Sequence, residues 1–376
     1  MYIFPYMKYL RYFCMPLLAI TAIWFGSKGM YWAWVYLILL DTIIILGDAF
    51  LGDDTTVPEY GHSWILTALL YINLPLFMVY LFIAVYMGGH NSMPFFENMI
   101  LVLTGNNIAA GREATEWWHL AGFVFSGGLL MGASLTVPAH ELVHHKKKKL
   151  DWAVGNIMMA FTLDSSFAVE HVHGHHKNVG LASDPATAKR GENIYTFFIR
   201  SSIQEHRDGW HIEMKRLKKI GAGVVSLHNR ILKGYLINIL VLLSAWMMGG
   251  FIGLMIFFGI TVFAKFFLET VNYMEHYGLV RAPGTPVAPR HSWNTNKRVS
   301  SILLYNLTRH SHHHEQGSLE FWKLRPHPDA PEMPYGYLTT LYLAAFFPWR
   351  YTKMMEPKLE EWKERFATED EKALMA

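Results

Sequence analysis

Tyr235–Ala264, YLINILVLLSAWMMGGFIGLMIFFGITVFA, runs for 30 residues without a charged side chain. A bilayer-spanning helix needs about 20 mostly apolar residues. The run is therefore too long for one straight span that then continues to His276. Gly249-Gly250 lies inside it, and the reading is a tight helical hairpin, one span before the glycines and one after.

Working toward the N-terminus, Trp117–Pro138 is a second uncharged or nearly uncharged run, entered through a Trp pair suited to the lipid interface. Trp64–Met87 is another, with Pro75 as a kink rather than a break. Tyr12–Ser27 is short, and Tyr31–Gly47 is interrupted by Asp41; the Gly26-Ser27-Lys28-Gly29 turn between them separates two further spans. The expectation is an all-α integral membrane protein with about six transmembrane helices, near residues 12–27, 31–47, 64–87, 117–138, 235–249 and 251–270. Phe95–Leu103 is too short to cross and reads as interfacial or re-entrant. The chain reads as one membrane-embedded domain over 1–376. The regions outside the spans that could carry chemistry would be 139–233 and 271–350, followed by a polar C-terminal tail over 351–376 with a charged helix at Glu356–Lys372.

Composition agrees with that class. Hydrophobic residues make up 52% and charged residues 17% of the 376, against about a quarter charged in soluble domains. The single cysteine, Cys14, excludes an intrachain disulfide, an iron–sulfur cluster or a Cys₄ metal module. Six spans place both termini on one side. Lys8, Arg11, Lys146–Lys149 and the basic stretch from Arg190 to Lys233 put that side, with regions 139–233 and 271–350, in the cytoplasm. The Asp48–Ser63 loop, without Lys or Arg, is a mild exception. No small-residue cleavage site follows the first apolar run, so no cleavable signal peptide is expected.

The second outlier is 20 histidines, most of them clustered. His140-Glu-Leu-Val-His144 directly follows the fourth span; Glu170-His171-Val-His-Gly-His175-His176 comes next; Asn272-Tyr-Met-Glu-His276 ends the sixth; Arg309-His310-Ser-His-His313-His314 is the last. Histidines at i and i+3 or i+4 share a helix face, so the first, second and fourth clusters can each aim two ligands at a common point. The spacing-compatible set, with His276, is His140, His144, His171, His175, His176, His276, His310, His313 and His314. Nine imidazoles are too many for one metal and suit two. All-nitrogen ligation with open positions suits redox-active iron; zinc accepts imidazole but normally takes only three or four ligands. His145, His173 and His312 read as bystanders. His62, His90, His119, His206, His211, His228, His291 and His327 read as ordinary surface or core residues.

Two readings from other classes compete. His140–His144 also fits HExxH, with Glu141 as the general base of an intramembrane zinc protease, but that leaves seven of the nine histidines unused. A metal transporter would place its ligands near the bilayer midplane on broken helices, whereas these clusters follow helix ends.

At these residues the sequence resembles the integral-membrane di-iron desaturase and hydroxylase superfamily, and within it the membrane-bound alkane 1-monooxygenases. The HELxHK box is matched by His140–His144 with one departure, His145 standing before Lys146, the EHNxGHH box by Glu170–His176 with Val172 in place of Asn, and NYxEHYGL is complete from Asn272 to Leu279. LQRHSxHH is matched by Leu307–His314 except at Thr308; Asp184-Pro185-Ala186 and the Asp48–Asp54 segment also match. NYxEHYGL favours alkane hydroxylases over fatty-acid desaturases or hydroxylases, the nearest rival.

The resemblance implies that all nine histidines ligate two iron ions. It further implies that the terminal methyl of an n-alkane is hydroxylated with O₂, and that electrons come from a rubredoxin fed by an NADH-dependent reductase. The expected setting is a bacterial inner membrane, with the bilayer as a partner and no nucleic acid. Glu141, Glu170, Asp184 and Glu275 are candidates to hydrogen-bond the outer imidazole nitrogens. Lys146–Lys149, with Arg298, Lys323 and Arg325, are candidates for docking an acidic electron donor.

Overall fold

The computed structural model describes residues 7–375; the expected domain's residues 1–6 and 376 lie outside them. β pairing among the described residues is confined to two isolated bridges, Asp53 with Lys297 and Asn294 with Glu332. Among the described residues, five helices are long and apolar enough to cross a membrane: Met7–Ser27, Trp32–Phe50, Ser63–Met87, Trp117–His144 and Arg230–His276.

The last of these is two helices joined at Gly250, which takes φ 59° and ψ −151°, a conformation open to glycine and costly for other residues. Asn238, before the break, accepts from Ser165 Oγ at 2.7 Å, and Lys265, after it, donates to Asp164 at 2.8 Å. Both positions lie beside the same turn, so 251–276 runs back along 230–249 as a hairpin. A Cβ on Gly249 would stand 2.4 Å from the Val85 carbonyl oxygen, so the bare glycine lets the hairpin tip meet Ser63–Met87. The protein is thus an all-α membrane protein. Ile38, Ile43, Leu240, Met247 and Phe258 are each more than half exposed along these helices, an apolar belt that requires lipid.

The two ends differ in chemistry. At one, the hairpin tip meets Gly88 and Gly89, and Gly29 packs on Gly111. The short helix Pro94–Thr104, with Phe95, Val102 and Leu103 exposed, lies in the connection between Gly89 and Gly111. The other end carries all four histidine clusters. The loop after Trp32–Phe50 docks beneath the fourth: buried Arg309 donates to the carbonyl oxygens of Asp54 (2.8 Å) and Thr56 (3.0 Å).

Three features depart from the sequence reading. First, Trp117–His144 continues through the first cluster rather than stopping at Pro138. The turn Gly132–Thr136 is π-helical, and that wider turn accommodates Pro138, which would otherwise clash with the preceding turn's backbone.

Second, the C-terminal segment is not a detached polar tail. It forms Pro348–Arg365 and Glu369–Met375 in place of one helix over 356–372. The break is a capping box: Thr368 Oγ1 accepts from Glu371 N, and Glu371 Oε2 accepts from Thr368 N at 2.9 Å. Buried Trp362 donates to the Arg290 carbonyl oxygen at 2.6 Å, and buried Glu371 accepts from His291 Nε2 at 2.8 Å.

Third, Tyr337–Phe346, expected to lie in the 271–350 region outside the spans, is an apolar helix packed against the second span. Its Tyr342 hydroxyl donates to Asp41 at 2.8 Å, which gives the ionisable residue inside that span its partner.

Candidate metal centre

The nine clustered histidines fall into two groups with none left over. His140, His144, His171, His176 and His313 form one; His175, His276, His310 and His314 form the other. Within each group, one ring nitrogen per residue lies within 4.8 Å of all the others. His140 and His144 reach one group from a common helix face. The second cluster does not follow the expected i, i+4 pairing. His171–His175 is a π-helical turn, so His171 pairs with His176 while His175 turns to the other group. The fourth cluster divides likewise, with His310 and His314 in one group and His313 in the other.

The ring nitrogens fit a metal better than they fit one another. His176 Nε2 lies 3.2 Å from His171 Nε2 and 3.1 Å from His313 Nε2. His314 Nε2 lies 3.3 Å from His175 Nε2 and 2.8 Å from His310 Nε2. An imidazole nitrogen is either a donor or an acceptor, so neither central nitrogen makes two full hydrogen bonds. The Nε2 atoms of His140, His144 and His276 are buried without any partner. Converging lone pairs left unsatisfied are what a cation completes. Burial, with the neighbouring imidazoles, holds His171, His176, His310, His313 and His314 well below the usual histidine range. They are neutral at pH 7, the form that ligates.

Of the four carboxylates considered from sequence, only Asp184 reaches an outer imidazole nitrogen, at 3.0 Å from His175 Nδ1. Glu141 instead lies 3.2 Å from His145 Nε2 and accepts from Phe321 N at 2.8 Å, tying the first box to the segment after the fourth. Among the described residues no hydrogen bond or ion pair joins Glu170 to a histidine ring. Its Oε1 has no hydrogen-bond partner, and burial together with Glu205 pushes its carboxyl well above the usual range. Glu275 faces the inner Nε2 of His310, at 3.1 Å, not the outer nitrogen. The outer nitrogen of His276 meets the His291 carbonyl oxygen at 3.1 Å. His291, read from sequence as ordinary, is therefore part of the support. Its ring is in turn held by Glu371, eighty residues on.

Beside the groups lies an apolar cavity. Its walls come from the first two spans (Met15, Leu18, Leu40, Ile44), from Trp117–His144 (Leu129, Ala133, Val137), from the hairpin (Phe267, Leu268, Val271) and from Tyr337–Phe346 (Leu338, Leu341). His140 and His171 of one group and His310 of the other also line it. A long apolar molecule held there would lie against both.

Residues 115–349 match the fatty acid desaturase family. The chain is 31% identical to alkane 1-monooxygenase 1 of Alcanivorax borkumensis, over 88% of this chain and 78% of that one. It is 34% identical to alkane 1-monooxygenase 2 of Pseudomonas aeruginosa, over 67% and 68%. It is 28% identical to the xylene/toluene monooxygenase hydroxylase component XylM of Pseudomonas putida, over 98% and 94%. The chain belongs to the fatty acid desaturase family, and its apolar helices and two histidine groups make it a multi-pass membrane protein with two candidate metal sites. Within that family it falls among the alkane 1-monooxygenases.

Proposed function

We propose that each histidine group holds one iron ion and that the centre hydroxylates the terminal methyl of an n-alkane to a 1-alkanol. The observation that carries this reading is the division of nine imidazoles into two groups beside an apolar cavity. An alkane methyl has no acidic proton, dipole or leaving group, so acid–base and nucleophilic catalysis have nothing to act on. Iron bound there would supply the activation of O₂, with two electrons and two protons, one oxygen atom going to the alcohol and the other to water.

The chain's own residues do the rest. The leucines and phenylalanines of the cavity, with Ile44, bind the hydrocarbon and exclude water. Asp184 and the His291 carbonyl oxygen fix the rings of His175 and His276.

The test is elemental. Protein purified with iron present should carry about two irons per chain; stoichiometric zinc without iron would favour the protease reading and overturn this one. The alignment with XylM, over 98% of this chain, supports a second reading, hydroxylation of an aromatic hydrocarbon of the xylene or toluene type. Turnover of p-xylene without n-octane turnover would select it, and alkene formation on an acyl substrate would instead indicate a desaturase.

The electrons, in this reading, come from a rubredoxin reduced by an NADH-dependent reductase, on the cytoplasmic face of a bacterial inner membrane. His176 is the one member of the two groups that is not fully buried. Beside it Gly317 has no side chain to cover the ring: a Cβ there would stand 2.9 Å from His176 Nδ1. Glu320, near this edge, pairs with both Lys148 (3.5 Å) and Lys323 (2.9 Å). Lys146–Lys149 are all exposed. A basic rim steers an acidic donor and loses strength with salt. Replacing Lys147, Lys148 and Lys149 with Gln should raise the KM for rubredoxin at low ionic strength and flatten the salt dependence, with iron content unchanged. Identical KM and salt slope in both proteins would confine the lysines to orienting the chain in the membrane.

A further inference from the structure

The two histidine groups are unequal. One has five imidazoles and the other four. At the smaller group stands Glu275, whose surroundings are not those of a structural carboxylate. It is 1% exposed and lines the apolar cavity. No Lys or Arg lies within ion-pair distance of it among the described residues. Its Oε1 accepts from the Tyr337 hydroxyl, which is itself buried. Its Oε2 lies 3.1 Å from His310 Nε2, the nitrogen that also faces His314 Nε2 at 2.8 Å. An isolated carboxylate in such a place is costly unless a cation completes it. The nearest place for one is the position on which His175, His276, His310 and His314 converge.

We propose that Glu275 is an oxygen donor to the metal of the four-histidine group, giving that group five donors as well, and that Tyr337 is the positioning residue that aims it. This rests on the iron-binding reading above. It makes the two metals chemically different, one held by five neutral nitrogens and the other by four nitrogens and an anionic oxygen. A carboxylate donor favours the more oxidised state of the ion it touches, because its charge is fixed where positive charge increases. Both groups face the cavity, and the carboxylate lines it as well. Tyr337 begins the apolar helix Tyr337–Phe346 that forms one cavity wall, so a single phenol connects the hydrocarbon's container to the donor set of one metal.

The experiment is Mössbauer spectroscopy of full-length protein from cells grown on ⁵⁷Fe, as wild type, Glu275→Gln and Tyr337→Phe, with iron counted in each. The wild type should show two iron signals of equal area. Glu275→Gln should shift one signal, or lose it, and leave the other in place. Tyr337→Phe keeps the carboxylate but frees its aim, and should perturb the same signal while both irons stay bound. If Glu275→Gln does not accumulate, Tyr337→Phe carries the test alone. Two irons with both signals unchanged in the variants would overturn this inference and leave the proposed function standing. A wild type that takes up no iron would overturn both.

Discussion

Replacing His140, His175 or His313 with alanine is expected to abolish hydroxylation while leaving a membrane-inserted protein. His140 and His313 belong to the five-histidine group and His175 to the four-histidine group, so under the proposed function each substitution removes a metal donor that no neighbour replaces. Loss of a residue that merely orients a ligand typically costs about 10–100-fold; losing the ligand should exceed the top of that range. The controls are His173→Ala and His312→Ala. His173 is exposed, and His312 turns away to accept from Arg325 N at 3.0 Å. Both variants should retain substantial activity. Equal sensitivity of ligands and controls, assayed in membranes at matched expression, would place the donors in the wrong register.

The largest stability effect is expected at Lys265. Its ammonium group reaches Asp164 at 2.8 Å, Glu205 at 3.1 Å and Glu269 at 2.6 Å, joining the hairpin, the turn before the second histidine cluster and the helix Ile194–Lys219. Glu269 in turn accepts from Ser201 Oγ at 2.7 Å. Lys265→Met leaves three largely buried carboxylates facing one another without a cation. Removing one partner of a buried ion pair typically costs about 3–5 kcal/mol, read as a marked fall in Tm in detergent. Lys265→Arg, which keeps the charge, should lose much less. The double variant Lys265→Met, Glu205→Gln should recover part of the loss. An unchanged Tm in Lys265→Met would mean that the cluster carries no net stability.

How much of this could be read in advance depended on the range over which each feature is encoded. Apolar runs and a glycine pair are local, so the membrane class and the hairpin break at Gly249-Gly250 were both legible. The nine histidines stood out because box spacing is also local. Which histidine serves which group was not legible, since the answer turns on a π-helical turn at His171–His175 that the sequence does not signal. The supports were the least legible. Asp184 reaches His175 from nine residues away, but Glu371 acts on His291 and Tyr337 on Glu275 only after the chain has folded back over sixty or more residues. Two misses had visible signals. Tyr337–Phe346 is an uncharged stretch of ten residues, and Thr368–Glu371 is a T-x-x-E capping box that marks a new helix.

The most direct test of the central claim is the fate of isotopic oxygen. The purified protein in lipid nanodiscs would be given rubredoxin, its reductase, NADH, a medium-chain n-alkane and ¹⁸O₂ in ordinary water, and the product analysed by mass spectrometry. A monooxygenase acting at the terminal methyl yields the 1-alkanol carrying one ¹⁸O. Absence of alcohol from an iron-loaded protein with a competent donor, or alcohol whose oxygen comes from water, would contradict it.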